Sequence, residues 1–454
     1  MQAVRNSIRF VSGSARLVLI GNRFYYAWVG FLLVLIGVGV AAYVGQVRHG
    51  LIVTSMRDVV SWGFYIGNFT FLVGVAAAAV MLIIPAYVYD WKPIKEVTLL
   101  GEMLAISALV MCLLFVLVDI GRPDRFWHIV PLVGLLNFSS LLAWDVLALN
   151  GYLLLNWFVV TYLLFRAYTG RSYRKRLVYP LVFLSIPMAV SIHTVTAYLY
   201  NGLAARPFWN VSILAPKFLA SAFCSGPAIL LVLLQILRKT SGLDVQDEAI
   251  FKVAELMAYA MGFNLFLTGA EVFKELYSNT QSAVFTQHLY FGYKGHNALV
   301  PFAWASVLCG LVAFLLFLVP RTRTNFVTLN VGCVLIYASV YIEKGIGLII
   351  PGLTPDTLGE LYDYRLSRTE LFVAAGVFSV GSLVYTLMLK VAIPIMLGQF
   401  TSSARRSPPL ESASSDGPPS SAGPRVEEAS LRFTLARSSS RDLEPQIVKE
   451  QEQC

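Results

Sequence analysis

Charge is what this chain has least of. Only 13% of its 454 residues are Asp, Glu, Lys or Arg, against 57% hydrophobic, whereas a soluble domain carries roughly 25% charged and about 45–50% apolar residues. So few charges cannot clothe a water-facing surface of ordinary polarity, and lipid must be the main solvent. The same balance excludes intrinsic disorder for the bulk of the chain. Cysteine is scarce too. Cys112, Cys224, Cys309, Cys333 and Cys454 are unclustered, which excludes a disulfide scaffold, and without C-x-x-C or C-x-x-C-H neither an iron–sulfur centre nor covalent haem is expected. Of the histidines His49, His128, His193, His288 and His296, only His193 falls well inside an apolar run, so the paired axial ligands of a membrane b haem are missing. Walker A, H-E-x-x-H and dinucleotide fingerprints are also missing. No metal site and no nucleic-acid partner is expected. Any redox role must use a cofactor held by another subunit.

What is abundant is long, unalternated apolar runs, which fit membrane helices rather than barrel strands. Ten are read, at about 25–46, 62–88, 97–119, 141–165, 177–200, 212–237, 250–275, 299–319, 325–349 and 370–396. The first is too long, and starts too far from Met1, for a simple cleaved signal peptide. The segment 1–24, with Arg5, Arg9, Arg16 and Arg23 among Ile8, Phe10, Leu17 and Leu19, is expected to lie along the membrane surface. With the N-terminus inside, the inner segments before the tail hold 15 basic residues and the outer loops 8. Both termini are therefore predicted to be cytoplasmic. From about Thr401 the chain turns to Ser, Pro, Gly and mixed charge, which predicts a disordered cytoplasmic tail over 401–454.

Spans two to five and six to nine begin 148 to 158 residues apart, and Gly101-Glu102-Met103-Leu104-Ala105 has a counterpart in Ala254-Glu255-Leu256-Met257-Ala258. Four spans is an even number, so the halves share one orientation. The expectation is an all-α integral membrane protein of two four-helix bundles in parallel repeat, 62–211 and 212–369. The first helix with its outer loop (25–61) and the tenth helix (370–400) are peripheral additions.

Ionisable groups inside a bilayer are costly and so become functional candidates. Most gather at the outer level. Asn68, Asp119, Asp145 and His193 come from the first half, and Lys217, Glu271, Lys274, Glu275, Glu343 and Lys344 from the second. In the second set Glu271 and Lys274 are helical neighbours able to neutralise each other, while Glu343 and Lys344 point apart and need other partners. The first set reads either as a site or as scaffold. In the scaffold reading Arg122 pairs with Asp119, and His193 bonds a backbone carbonyl. Only Arg122 and Arg125 are placed to neutralise its carboxylates. Toward the inner side, Glu102, Tyr152, Asn156 and Glu255 allow a proton path, with Asp145, Tyr152 and Asn156 on one face of span four. The asparagines serve equally well as helix bridges.

Val118-Asp119-Ile120-Gly121-Arg122-Pro123-Asp124-Arg125-Phe126, with Tyr65-Ile66-Gly67-Asn68, Trp144-Asp145 and Ser191-Ile192-His193-Thr194, resembles the NrfD/PsrC family of quinone-handling membrane subunits. Pro351-Gly352-Leu353-Thr354-Pro355 and the tenth span resemble its longer branch, which includes DsrP and HmcC, and the ten-span subunits of alternative complex III. The resemblance implies a quinone headgroup, menaquinone or ubiquinone, near the outer face of the first bundle. Asp119, Asp145 and His193 would form the proton-accepting shell, with Tyr65, Asn68, Arg122 and Arg125 around the headgroup. The position of Asp119 is often His in the family, so this sequence departs from the pattern there. The resemblance also implies a non-autonomous subunit of a quinol-linked oxidoreductase in a bacterial inner membrane. Its partner would be an extracytoplasmic four-iron ferredoxin-like subunit, followed by a molybdopterin subunit or multihaem cytochrome c. Two rival readings are a secondary transporter and a passive anchor for redox subunits. Against the transporter, no pair of corresponding Gly- or Pro-broken helices is evident.

Overall fold

A computed structural model describes residues 2–89, 91–129 and 139–402; the predicted tail lies outside them beyond Ser402. Among the described residues ten helical spans are long and apolar enough to cross a membrane, as predicted, and the only β feature is an isolated bridge between Tyr293 and His296. The helices are α1 (Gln2–Leu19), α2 (Arg23–His49), α3 (Phe64–Ala76), α4 (Ala78–Ile83), α5 (Lys92–Asp119), α6 (Leu141–Tyr168), α7 (Lys175–Asn201) and α8 (Leu214–Ser241). They continue with α9 (Asp247–Ser278), α10 (Ala283–Tyr290), α11 (Val300–Leu318), α12 (Pro320–Arg323), α13 (Phe326–Lys344), α14 (Ile346–Leu353) and α15 (Arg368–Met396).

Local chemistry sets many of the ends. Asn22 caps α2 by accepting from Tyr25 N at 2.8 Å, and Ser140 caps α6 by accepting from Ala143 N at 3.3 Å. Ser367 and Glu370 close a reciprocal capping box on α15. The polar segment 2–19 is one helix, α1, packed against α6 and α15.

α3, α5, α6 and α7 pack together, as do α8, α9, α11 and α13, and the two groups meet through α3 against α8 and α13 and through α7 against α8. Burial marks the centre: 88% of the most apolar window of the α3–α4 span and 78% of that of α5 are buried, against 11% for α2. α2 pairs with α15, which also lies on α5. The α2–α15 crossing needs glycine on both sides, because a Cβ on Gly39 would come within 2.6 Å of Gly376 Cα.

Two spans are not continuous. Span two steps at Ala77 and ends in a π turn over Ile84–Val88, and span nine breaks at Gly345 between α13 and α14. The Gly345 break follows Glu343-Lys344 inside the stretch read from sequence as one span, 325–349. It sits against Gly67 of α3, where a Cβ would meet Gly345 Cα at 3.2 Å. Spans two and nine do not correspond in the predicted repeat, so the paired breaks of a transporter are still not met.

Candidate functional site

At the C-terminal end of α5, the last turn carries Asp119, with Oδ1 buried and without a partner. Beside it Tyr65 of α3 donates from its phenol to Gln46 Oε1 at 2.7 Å, and Gln46 Nε2 donates to Val118 O at 2.7 Å. The bridging amide pins Tyr65 to the end of α5. One turn on, Asn68 donates to Phe64 O at 2.8 Å and accepts from Tyr341 of α13 at 2.6 Å. Thr70 donates to Ile66 O at 2.8 Å, which leaves its oxygen to accept from the hydroxyl of Tyr200 on α7.

Asp145 lies in the first turns of α6 and is fully buried. Its Oδ1 is 2.7 Å from Thr196 Oγ1 of α7, and Oδ2 has no partner. His193, one turn before Thr196, holds Ala189 O through Nδ1 at 2.7 Å while Nε2 has no partner. Three helices therefore present, at the same end of the bundle, three buried polar atoms that no other group of the fold hydrogen-bonds. Each costs free energy unless water or a ligand satisfies it. No hydrogen bond joins the three side chains to one another among the described residues.

The Arg122–Asp119 pair of the scaffold reading is not made. Arg122 forms a two-pronged pair with Asp124 at 3.0 Å, both side chains well exposed, and it does not pair with Asp119 or Asp145. The hydrogen bond and charge of that guanidinium hold the Asp124 carboxyl below its ordinary range. The physical reason lies in the loop: Pro123 starts a short 3-10 helix that turns Arg122 back over its own first residues, and Arg125 is exposed as well.

Asp145, Tyr152 and Asn156 are all buried and so do share the inward face of α6. Tyr152 Oη and Glu102 Oε2 are both buried without partners. Glu255 differs from its repeat counterpart. It is half-buried, bonded to Tyr259 at 3.1 Å and paired with Lys252 at 3.3 Å and Arg323 at 3.7 Å. It belongs to the rim of the second group, away from the Glu102 core.

The second polar set also departs from expectation. Glu271 pairs across helices with Lys217 at 2.7 Å, not with Lys274, which turns to Glu275 at 2.5 Å. Lys217 reaches Glu343 as well, at 3.1 Å, and Glu343 accepts from Asn264 at 3.0 Å and Thr268 at 2.7 Å. Lys344 points the other way, donating to Phe218 O at 2.9 Å over the Phe218 ring. Glu343 and Lys344 thus find separate partners, as adjacent residues on a helix must. These groups are satisfied within the fold and read as scaffold.

Sequence reasoning missed the polar residues that support the site: Gln46, Thr196, Tyr200, Tyr341 and Glu370. Only Glu370 carried a local signal, the Ser367-x-x-Glu370 capping pattern.

A ten-span helical membrane protein with orphaned acid and imidazole groups at one end of its first four-helix group is the class that fold and site define. The family description "Polysulphide reductase, NrfD" matches residues 52–355. The chain belongs to that family. Among curated proteins it is 26% identical to a putative dimethyl sulfoxide reductase membrane subunit of Halobacterium salinarum, covering 79% of this sequence and 88% of that one. It is 23% identical to an Hdr-like menaquinol oxidoreductase integral membrane subunit of Archaeoglobus fulgidus, over 72% and 79%. It is also 27% identical to one of the polypeptides of polysulfide reductase from Wolinella succinogenes, over 41% and 63%.

Proposed function

We propose that this chain is the quinone-interacting membrane subunit of a respiratory oxidoreductase complex. It exchanges electrons between the quinone pool and an extracytoplasmic iron–sulfur partner, which passes them to or from a molybdopterin subunit or multihaem cytochrome c. The observation that carries the reading is the set of partnerless buried atoms Asp119 Oδ1, Asp145 Oδ2 and His193 Nε2 on three helices. Family membership supports it, as do relatives named as reductase and menaquinol oxidoreductase membrane subunits. Quinol oxidation releases two protons with two electrons, so the headgroup needs bases within reach. Asp119 and Asp145 accept protons, and His193 Nε2 bonds the opposite ring oxygen. Tyr65 and Asn68 shape the wall between them, while the exposed Arg122 and Arg125 dock the partner.

The first bundle (62–211) holds this site, the second (212–369) buttresses it, and the Asp119 end faces outward from a bacterial inner membrane with both termini cytoplasmic. Glu102, Tyr152 and Asn156 supply a proton path on the cytoplasmic side. Glu255, ion-paired at the rim, is a poor member of it. Binding of a menaquinone analogue to the purified complex, followed by fluorescence quenching, tests the reading. Saturable binding that His193→Ala weakens is expected; unchanged binding in that variant contradicts the assignment.

A further inference from the structure

We propose that the cavity beside the break in span nine binds one monovalent metal cation of sodium's size, held by Glu271, Glu343 and Asn264. This site belongs to the second bundle and stands apart from the quinone reading.

The cavity lies where α8, α9, α10, α11, α13 and α14 converge, and its volume of ≈ 60 Å³ has room for an ion with a few waters. Asn264, Thr268 and Glu271 recur at i, i+4 and i+7, so one face of α9 lines it. Lys217 of α8 and Glu343 of α13 complete the polar wall. Hydrogen bonds satisfy these charged groups, but their charges do not balance. Among the described residues Lys217 is the only cation that pairs with Glu271, at 2.7 Å, or with Glu343, at 3.1 Å. One lysine therefore faces two carboxylates, and the excess negative charge is costly inside a bilayer. Lys344 does not offset it, because its ammonium turns away to donate to Phe218 O.

A second observation is independent of charge. Asn264 is only 1% exposed and donates through Nδ2 to Glu343 Oε2 at 3.0 Å, while its Oδ1 is buried with no partner. The amide cannot turn over to hide that oxygen, since the turn would set it against the Glu343 carboxylate. The backbone adds a third. Span nine stops at Gly345, so α13 ends beside the cavity with Ile342 and Glu343 in the wall, and α14 resumes there with Gly347 and Leu348. The C-terminal end of a half-helix carries partial negative charge and favours a cation.

Charge and donor type select the ion. An anion would add to the excess, and a divalent cation would overshoot it. A proton would settle on a carboxylate and leave Asn264 Oδ1 unanswered, whereas a hard cation takes amide and carboxylate oxygens together. Transition metals lack their ligands, because among the described residues no group of three or more His, Cys, Asp and Glu could hold a metal ion.

The test uses the intact complex purified in sodium-free choline buffer. Equilibrium dialysis against radioactive sodium should show saturable binding. Glu271→Gln removes the excess charge but keeps an acceptor for Lys217, and should lower that binding by one ion per copy of this chain. Asn264→Ala keeps every charge and should weaken it about tenfold. Glu248→Gln, exposed in the first turn of the same helix, should bind as wild type. Sodium should also raise the thermal midpoint of the wild-type complex relative to choline, which decides the matter if Glu271→Gln fails to assemble. No saturable sodium binding in the wild-type complex, binding unchanged in both cavity variants, or a midpoint that follows pH but not sodium would overturn the site. Quinone binding is measured on the same preparations, and its absence would count against the quinone reading alone.

Discussion

Replacing Asp145 with Asn isolates proton acceptance from packing. In the folded chain Oδ1 is 2.7 Å from the Thr196 hydroxyl and Oδ2 is buried with no partner. An asparagine places its amide oxygen at the Oδ1 position and keeps that bond, so α6 and α7 should dock as before. The change replaces an oxygen that can take a proton by an NH2 that cannot. Loss of a positioned general base costs about 10²–10⁴ in rate, equivalent to roughly 2.7–5.4 kcal/mol of barrier at 1.36 kcal/mol per tenfold. The smaller figure applies if Asp119 takes over as acceptor. The assay is quinol-dependent reduction of the natural acceptor by membranes containing the assembled complex, normalised to the amount of complex present. A variant with wild-type turnover would remove Asp145 from the proton-accepting shell.

Other perturbations test the rest of the account. Lys217→Met leaves Glu271 and Glu343 without the cation that bridges them at 2.7 and 3.1 Å, and breaking such a buried pair costs about 3–5 kcal/mol. A lower midpoint in thermal unfolding, partly restored by adding Glu271→Gln, is expected. Tyr341→Phe removes the 2.6 Å bond to Asn68. It should cost about 0.5–1.5 kcal/mol of stability and weaken quinone binding more than it lowers maximal turnover. Gly39→Val forces a side chain into Gly376 Cα, and a cysteine cross-link between α2 and α15 should form more slowly. Arg122→Ala removes only an exposed pair. It should leave the thermal midpoint unchanged while loosening co-purification of the proposed iron–sulfur partner.

The ten spans were legible because crossing a bilayer fixes length and composition together, and the helices fall within a few residues of the apolar runs. Pairing was less legible. Glu271 and Lys274 are close along one helix, but α8 brings Lys217 closer, and nothing in the α9 sequence announces that. A pair between Arg122 and Asp119 was one of the alternatives, but Pro123 starts a turn that hands Arg122 to Asp124. The Gly345 break was not read because the apolar residues on both sides of Glu343-Lys344-Gly345 together have the length of one span. Asp119, Asp145 and His193 could be singled out as candidates because an acid or imidazole inside a span is rare. Thr196, Tyr200, Gln46 and Tyr341 were not found, since common polar residues reveal a role only when a partner helix meets them.

The central claim is that a quinone lies against the Asp119 end of the first bundle. Photolabelling of the intact complex with an azido-menaquinone, followed by peptide mapping, tests it most directly. The account predicts labels on α5, α6 and α7 near Asp119, Asp145 and His193, competed away by unlabelled quinol. Labels confined to the second bundle, or none that quinol displaces, would contradict it.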